Sequence, residues 1–378
     1  MLRKLSFIII AFGYFNICYA QETDSAKKTA VDTTVKTSPP VTITGSVDAY
    51  YRFNFSNPKT GYNNYTSFTN SQSSFELGMA SIRGDHSFGK VSATVDLGFG
   101  RRAEEFSYND GAHPTLFAVK QLYASFQATS VVKFTLGKWG THIGYEVLDA
   151  FANRNYSMDY MFSFGPFFHT GLKADITISP TTALMIGVAN PTDFSTTSSS
   201  TKVLIAQFST GTKDGKLKAF LNYQGYAGVS QDTMIAPSYY LFKHLNQFDL
   251  VINGTISSKF GIGLNGTVQS ISSSVDGLSG SWWGAAGYLN FDPTTTFGLT
   301  LRGEYFSDKH NIKITDLDEI GNGLNVFDLT LTGLFKVGNL TIMPELRLDD
   351  GSKNFFYKSD GTTTKSTVSA LLAVVYHF

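Results

Sequence analysis

Cysteine is almost absent from this sequence, and its one cysteine, Cys18, lies near the N-terminus. That region is laid out like an export signal. A basic pair precedes the apolar stretch 5–15, and small residues occupy the −3 and −1 positions of a cleavage site that ends at Ala20. We therefore expect residues 1–20 to be a signal peptide. Cleavage there leaves a chain without disulfides or thiol chemistry.

Long hydrophobic runs and an excess of either charge are also missing. Beyond the N-terminal stretch, no segment has the roughly 18 consecutive apolar residues of a membrane-spanning helix. The 30 Lys and Arg balance the 30 Asp and Glu, so the sequence lacks the basic footprint of a nucleic-acid-binding protein. Nucleic acid is therefore not an expected partner.

Aromatic residues and glycine are abundant, with 32 Phe, 19 Tyr and 35 Gly. Together with few prolines and little charge, they are typical of short strands, tight turns and aromatic rims. Residues 21–40 differ, because this Thr-, Lys-, Ser- and Pro-containing tract has little to bury; we expect a flexible periplasmic lead-in there. A single pattern then runs through 41–378, which we expect to be one domain.

Alternation of apolar and polar residues begins at residue 41 and recurs along the chain. Successive side chains of a strand point to opposite faces, so each such segment has one apolar and one polar wall. The pattern predicts about sixteen strands, with fourteen or eighteen as alternatives. The predicted strands span 41–55, 73–88, 90–101, 118–129, 131–140, 167–179, 182–190, 202–213, 216–226, 246–258, 259–270, 281–291, 296–307, 324–336, 339–348 and 366–378.

The connections between these strands alternate strictly between short and long. Short turns and long extracellular loops alternate in this way in transmembrane barrels whose termini are both periplasmic. No physical constraint makes short and long connections alternate in a soluble β-sandwich. We predict an all-β fold, a transmembrane antiparallel up-and-down β-barrel. The long loops are 56–72, 102–117, 141–166, 191–201, 227–245, 271–280, 308–323 and 349–365.

Aromatic residues concentrate near the strand ends, where they would form girdles at the two membrane interfaces. The last strand ends in Phe378, and a terminal aromatic residue is a signal that the barrel-assembly machinery reads. We therefore expect outer-membrane lipid, lipopolysaccharide and this machinery as partners. The predicted interface aromatics are Phe53, Phe55, Phe88, Phe99, Phe260, Phe291, Phe297, Tyr376 and Phe378.

The segment 137–174 resembles the OmpL-like β-barrel porin family of bacterial outer membranes. The resemblance covers about 35 residues in detail, with barrel-like patterning elsewhere. It implies a porin-like barrel without enzymatic activity, and it says little about selectivity. The matching elements are Gly137-Lys138, Thr141, Ile143-Gly144-Tyr145-Glu146, Asn153, Tyr156-Ser157, Pro166 and His169-Thr170-Gly171.

The longest loop, 141–166, is rich in aromatic residues that would be awkward on an exposed surface. We expect it to fold into the lumen as a constriction; the alternative is packing outward over a neighbouring barrel or subunit. Its charged residues would then line the narrowest part of the pore. The predicted constriction residues are Glu146, Asp149, Arg154 and Asp159.

Strand parity sends a second set of charges toward the pore, because Arg or Lys facing lipid at the midplane costs roughly 2–4 kcal/mol. Seven acidic and five basic residues in this set predict at most a weak preference for cations. The predicted wall residues are Asp48, Arg52, Asp96, Lys173, Asp175, Lys218, Asp249, Arg302, Glu304, Asp328, Glu345 and Arg347.

The functional hypothesis is an outer-membrane porin of a Gram-negative bacterium, whose water-filled channel passes small hydrophilic solutes. Alternatives are an outer-membrane barrel enzyme and an adhesin or structural barrel. We identify no catalytic, cofactor or metal site. A G-x-G-x-x-G match at 261–266 lies inside an alternating strand, whereas a dinucleotide site needs a strand before it and a helix after it. The solute, the ion selectivity and the oligomeric state remain open.

Overall fold

A computed structural model describes residues 39–378, except 60, 112, 199, 228–241, 274–278 and 315–322. The predicted signal peptide, 1–20, and nearly all of the predicted lead-in, 21–40, lie outside the described residues. None of the described helices combines the length and apolar character that would carry it through a membrane.

Sixteen strands of the described chain close into one antiparallel barrel, which confirms the predicted fold class and strand number. The barrel strands are β1 Thr42–Asn54, β2 Ser74–Phe88, β3 Val91–Phe99, β4 Val119–Gln127, β5 Val132–Gly140, β6 Phe168–Ser179, β7 Thr182–Ala189, β8 Val203–Gly211, β9 Leu217–Ala227, β10 Phe242–Thr255, β11 Phe260–Ser273, β12 Gly280–Phe291, β13 Phe297–Asp308, β14 Leu324–Val337, β15 Leu340–Gly351 and β18 Ser366–His377.

The remaining elements lie in the long loops. Two short strands, β16 (Phe356–Tyr357) and β17 (Thr363–Thr364), pair with each other in the last long loop. Helix α1 (Arg101–Phe106) follows β3, and helix α2 (Tyr160–Phe164) lies in the loop between β5 and β6. The strand predicted over 90–101 forms β3, which ends at Phe99 because the backbone takes φ 115 at Gly100 and the chain turns into α1.

The barrel closes between its first and last strands. The amide of Gly45 donates to the carbonyl oxygen of Phe378 at 3.0 Å, and the amide of Phe378 donates back to Gly45 at 2.9 Å. Glycine is required at this seam, because a Cβ on Gly45 would lie 2.7 Å from the backbone oxygen of Ser81. Complete pairing leaves no open sheet edge in the membrane.

The two faces of each strand have opposite character. On the outside, Leu172 and Leu264 are 50% and 48% exposed, as lipid-facing residues are. On the inside, Arg302, Glu304 and Asp328 are at most 1% exposed, so the inner charges are covered by other parts of the protein. What covers them is the loop between β5 and β6.

Candidate functional site: the loop inside the barrel

The loop between β5 and β6, residues 141–167, crosses the lumen. Strand β13 lies halfway round the sixteen-strand barrel from β5. The loop starts toward it along the wall. The amide of Gly144 donates to Asp249 of β10 at 3.0 Å, and the ring of Tyr145 stacks on Tyr288 of β12 with centroids 4.0 Å apart. The loop between β5 and β6 therefore folds into the lumen of the barrel.

Arg302 of β13 holds the middle of the loop. Its guanidinium donates to the Glu146 carboxylate at 2.7 Å and to the carbonyl oxygen of Ser157 at 2.7 Å. The same group pairs with Asp328 at 3.1 Å. A guanidinium presents five donors in a planar fork, which suits it to join two loop segments and a wall carboxylate at once.

Two wall carboxylates receive backbone amides of the loop. Glu304 of β13 accepts from the amides of Tyr160 and Met161 at 2.7 and 2.8 Å. Glu345 of β15 accepts from the amides of Tyr156 and Ser157 at 2.8 and 3.1 Å. Buried N–H groups need such partners, so these acids act as anchors for an irregular segment.

The lowest part of the loop reaches the short-turn end of the barrel. Arg154 forms a bidentate pair with Asp292, in the turn after β12, at 3.1 and 2.9 Å. Its Nε also donates to Thr300 at 2.6 Å. The ring of Phe151 stacks on His377, next to the last residue, with centroids 5.2 Å apart. The loop therefore extends through most of the height of the barrel.

Helix α1 supplies an anchor that the sequence analysis missed. Arg102 is fully buried and donates to the carbonyl oxygens of Leu148 and Tyr156 at 3.0 and 3.2 Å. Its guanidinium also lies 4.9 Å from the ring centroids of Phe68 and Tyr156. No sequence pattern indicated this role, because the partners are backbone carbonyls 46 and 54 positions away.

The four predicted constriction residues fall into two pairs. Glu146 and Arg154 line the open space described below. Asp149 and Asp159 do not: Asp149 pairs with Lys120 of β4 at 2.5 Å, and Asp159 caps α2 by accepting from the amide of Phe162 at 2.6 Å. Burial raises the pKa of Glu146 above its usual range, with Asp159 adding to the rise and the pair with Arg302 opposing it.

The loop also separates the predicted wall charges into two groups, those that are buried and those that line the open space. Most of them are buried in ion pairs or hydrogen bonds beneath loops or between strands: Asp48, Arg52, Asp96, Asp249, Arg302, Glu304, Asp328, Glu345 and Arg347. Only Lys173, Asp175 and Lys218 of the predicted set line the remaining space. The loop thus fills the half of the lumen next to β11–β15, β18 and β1.

The other half of the lumen holds a cavity of about 760 Å³. Strands β4–β10 form most of its wall, and residues of the turns 180–182 and 211–215 line it at the short-turn end. Loop residues His142 to Val147 contribute to its inner boundary. A second void of about 20 Å³ touches four of the same residues: Gln121, Gly140, Thr141 and Val147. These four residues mark a narrow junction between wall and loop.

The predicted interface aromatics lie on the outer face near strand ends. Several are paired: Phe53 with Phe55, Phe260 with Phe291, and Tyr376 with Phe378 have ring centroids 5.3, 4.6 and 6.2 Å apart. Phe297 packs on a further ring at 4.9 Å. Phe88 and Phe99 are 42% and 56% exposed.

Comparison with known proteins gives one family. The sequence profile of the family described as "Putative beta-barrel porin-2, OmpL-like" matches residues 40–378. No curated protein matches the chain.

Solved structures of outer-membrane proteins are similar in fold. The outer membrane channel DcaP of Acinetobacter baumannii is 14% identical with a TM-score of 0.59, over 89% of this chain and 97% of that one. The anion-selective porin from Comamonas acidovorans is 10% identical with a TM-score of 0.56, over 90% and 99%. OmpT of Vibrio cholerae is 11% identical with a TM-score of 0.55, over 89% and 97%. At these identities the likeness concerns the fold alone.

Proposed function

This chain belongs to the OmpL-like β-barrel porin family and is a channel for passive diffusion in the bacterial outer membrane, and we propose that the loop 141–166 sets its size limit. The observation that carries the proposal is the anchoring of the loop to the far wall through Arg302, Glu304 and Glu345. A barrel of about sixteen strands is wide enough for an aqueous channel unless something fills it. Small hydrophilic solutes then pass through the half that the loop leaves open.

We infer that the narrowest point lies where the loop meets the wall. Gln121 of β4 and the loop residues Thr141 and Val147 border both the large cavity and the small void. Glu146 and Arg154 face the cavity from the loop. Asp149 and Asp159 hold the loop in shape, because both are buried and paired. The constriction therefore depends on all four predicted charges, in two different roles.

We also propose how the channel is exported, assembled and placed in the membrane. The outer face contacts membrane lipid, and small solutes are the cargo. In our proposal the extracellular loops meet lipopolysaccharide, and the assembly machinery reads the strand that ends in Phe378. Residues 1–20 direct export, 21–40 form a periplasmic lead-in, and 41–378 form the barrel. The protein carries out no catalysis.

Liposome swelling tests this function. Proteoliposomes containing the folded barrel should swell in small sugars and should exclude larger ones at a sharp size limit. Folding is verified by heat-modifiable gel mobility, and liposomes with heat-denatured protein are the control. Folded protein that gives no swelling in any sugar would contradict a diffusion channel.

A further inference from the structure

The charge around the cavity differs from the charge of the whole inner wall. Among the twelve predicted wall charges, seven acids outnumber five bases. Most of those acids are engaged by the loop or by neighbouring side chains, and of the described residues only two carboxylates, Glu146 and Asp175, line the cavity. Glu146 is already paired with Arg302. The lining bases are more numerous: Lys133, Arg154, Lys173, Lys213 and Lys218.

The residues that line the cavity carry an excess of positive charge even when those in strong ion pairs are left out. Arg154 is neutralised by its bidentate pair with Asp292. Setting that pair, the Glu146–Arg302 pair and Lys218 aside still leaves Lys133, Lys173 and Lys213 against Asp175 among the described lining residues. Because the cavity is walled by protein of low dielectric, an unbalanced set of charges there concentrates counter-ions more than the same set on an open surface.

Two of these lysines share one carboxylate. Lys133 of β5 lies directly opposite Asp175 of β6, and Lys173 lies two residues before Asp175 on the same face. Both ammonium groups are 3.6 Å from Asp175 oxygens, which is longer than a hydrogen bond. Neither Asp175 oxygen has a hydrogen-bond partner in the described structure. The carboxylate therefore balances one lysine only, and loosely.

A tryptophan lies beside this pair of lysines. Trp139 lines the cavity, and its ring centroid is 5.3 Å from Nζ of Lys173. Trp139 is 5% exposed, yet its buried Nε1 has no hydrogen-bond partner in the described part of the chain. Its N–H is therefore covered by protein, and the indole contributes ring surface to the cavity wall beside the lysines. Met185 and Phe220 add apolar surface to the same cavity.

We propose that this cavity is a binding site for small organic anions, in which Lys133 and Lys173 hold a carboxylate and the apolar surface takes the carbon skeleton. The proposal rests on the channel function and names its solute class. Apolar surface beside the lysines favours an organic carboxylate over a fully hydrated inorganic anion. Lys213, in the turn at the short-turn end, draws anions to the cavity mouth.

Two measurements test the proposal, one of conduction and one of binding. In planar bilayers under a KCl gradient, the wild-type reversal potential should have the sign of an anion-preferring channel. Benzoate should bind the folded barrel in detergent, measured by calorimetry, and inorganic phosphate should bind more weakly. The double variant Lys133→Gln/Lys173→Gln should move the reversal potential toward the cation side and weaken benzoate binding on the order of tenfold.

The matched control is Lys90→Gln/Lys259→Gln, which removes the same charge from exposed turns that do not line the cavity. It should leave both readings near wild type. If the double variant does not assemble, Lys213→Gln, in an exposed turn, should still shift the reversal potential toward the cation side. Phosphate binding as tight as benzoate would overturn the organic part of the proposal.

The two readouts separate this proposal from the channel function. A cation-selective channel, absent benzoate binding, or equal effects of the cavity and control variants would overturn the anion site. Benzoate binding that depends on Lys133 and Lys173, in a barrel that conducts no ions, would instead support the site and refute the channel.

Discussion

Arg302 on β13 and Glu146 in the inserted loop are joined by a hydrogen bond of 2.7 Å between residues 156 positions apart. Both side chains are at most 3% exposed. The pair fixes the middle of the loop to the wall opposite the strand from which the loop departs. A loop anchored there closes one half of the lumen and leaves the other half as the path for solutes.

Replacing Arg302 with Gln should loosen the loop without preventing barrel formation. Glu146 would be left buried without its cation, whereas Asp328 keeps its pair with Arg347 at 2.7 Å. Breaking a buried pair by removing one partner costs about 3–5 kcal/mol. We expect a larger and noisier single-channel conductance, and faster cleavage by trypsin within 141–166. Arg83→Gln is the control, since its pair with Asp85 is partly exposed and worth about 1 kcal/mol at most. Equal trypsin resistance of the two variants would contradict the anchoring role.

Two substitutions in β10 should separate the lipid face from the lumen face. Leu250 is 44% exposed on the outside, and Asn253 lines the cavity. Leu250→Arg should impair assembly, because Arg facing lipid near the midplane costs roughly 2–4 kcal/mol. Asn253→Arg should assemble normally and lower the conductance. Comparable folded fractions for both variants, read from heat-modifiable mobility, would contradict the assigned faces.

Asp193, in the loop after β7, should make the stability of the extracellular side depend on pH. It accepts from the amides of Phe167 and Phe168 at 2.7 and 3.0 Å and from the Tyr108 hydroxyl at 3.1 Å. Burial raises the pKa of Asp193 to about 6, although these hydrogen bonds oppose the rise. A carboxyl whose pKa is raised by folding stabilises the folded state below its unfolded pKa and loses that contribution as pH rises through the folded pKa.

The loss for Asp193 should therefore fall between about pH 4 and 6, and it amounts to roughly 3 kcal/mol at most. Asp193→Asn keeps an oxygen acceptor for the two amides and removes the titration. Asn also tolerates the backbone φ of 62 at this position. Urea unfolding in detergent from pH 4 to 7 should show a decline for the wild type that the variant lacks. Parallel pH profiles would refute the assignment.

The fold was predictable from the sequence because the alternation of apolar and polar residues within each strand reflects the lipid on one side and the lumen on the other. The lipid-facing side of a strand has apolar residues at every second position. The alternation around Leu172 or Leu264 therefore indicates which side chains face lipid and which face the lumen. Segments that alternate poorly, such as 131–140 and 202–213, still form β5 and β8, because both neighbours of each strand supply hydrogen-bond partners. The aromatic content of 141–166 similarly indicated a loop that packs against protein.

The detailed site was less accessible, because its contacts join distant positions. The alternation within their strands places Glu304 and Glu345 on the inner wall. The neighbouring sequence does not indicate that backbone amides of the loop donate hydrogen bonds to these carboxylates. The ratio of acidic to basic side chains among all predicted wall residues therefore differs from the ratio among the residues that line the open cavity. Arg102 was missed for the same reason: it lies in a segment interpreted as loop, and its partners are carbonyl oxygens.

The most direct test of the central claim is the conductance of a barrel that lacks residues 147–160, replaced by a short Gly-Ser linker. This deletion removes the part of the loop that meets Glu304, Glu345 and Asp292 while leaving every strand intact. Assembly is verified by heat-modifiable mobility before recording. We predict a several-fold rise in single-channel conductance and entry of larger sugars in liposome swelling. A correctly assembled deletion variant with unchanged conductance and an unchanged sugar size limit would contradict the account.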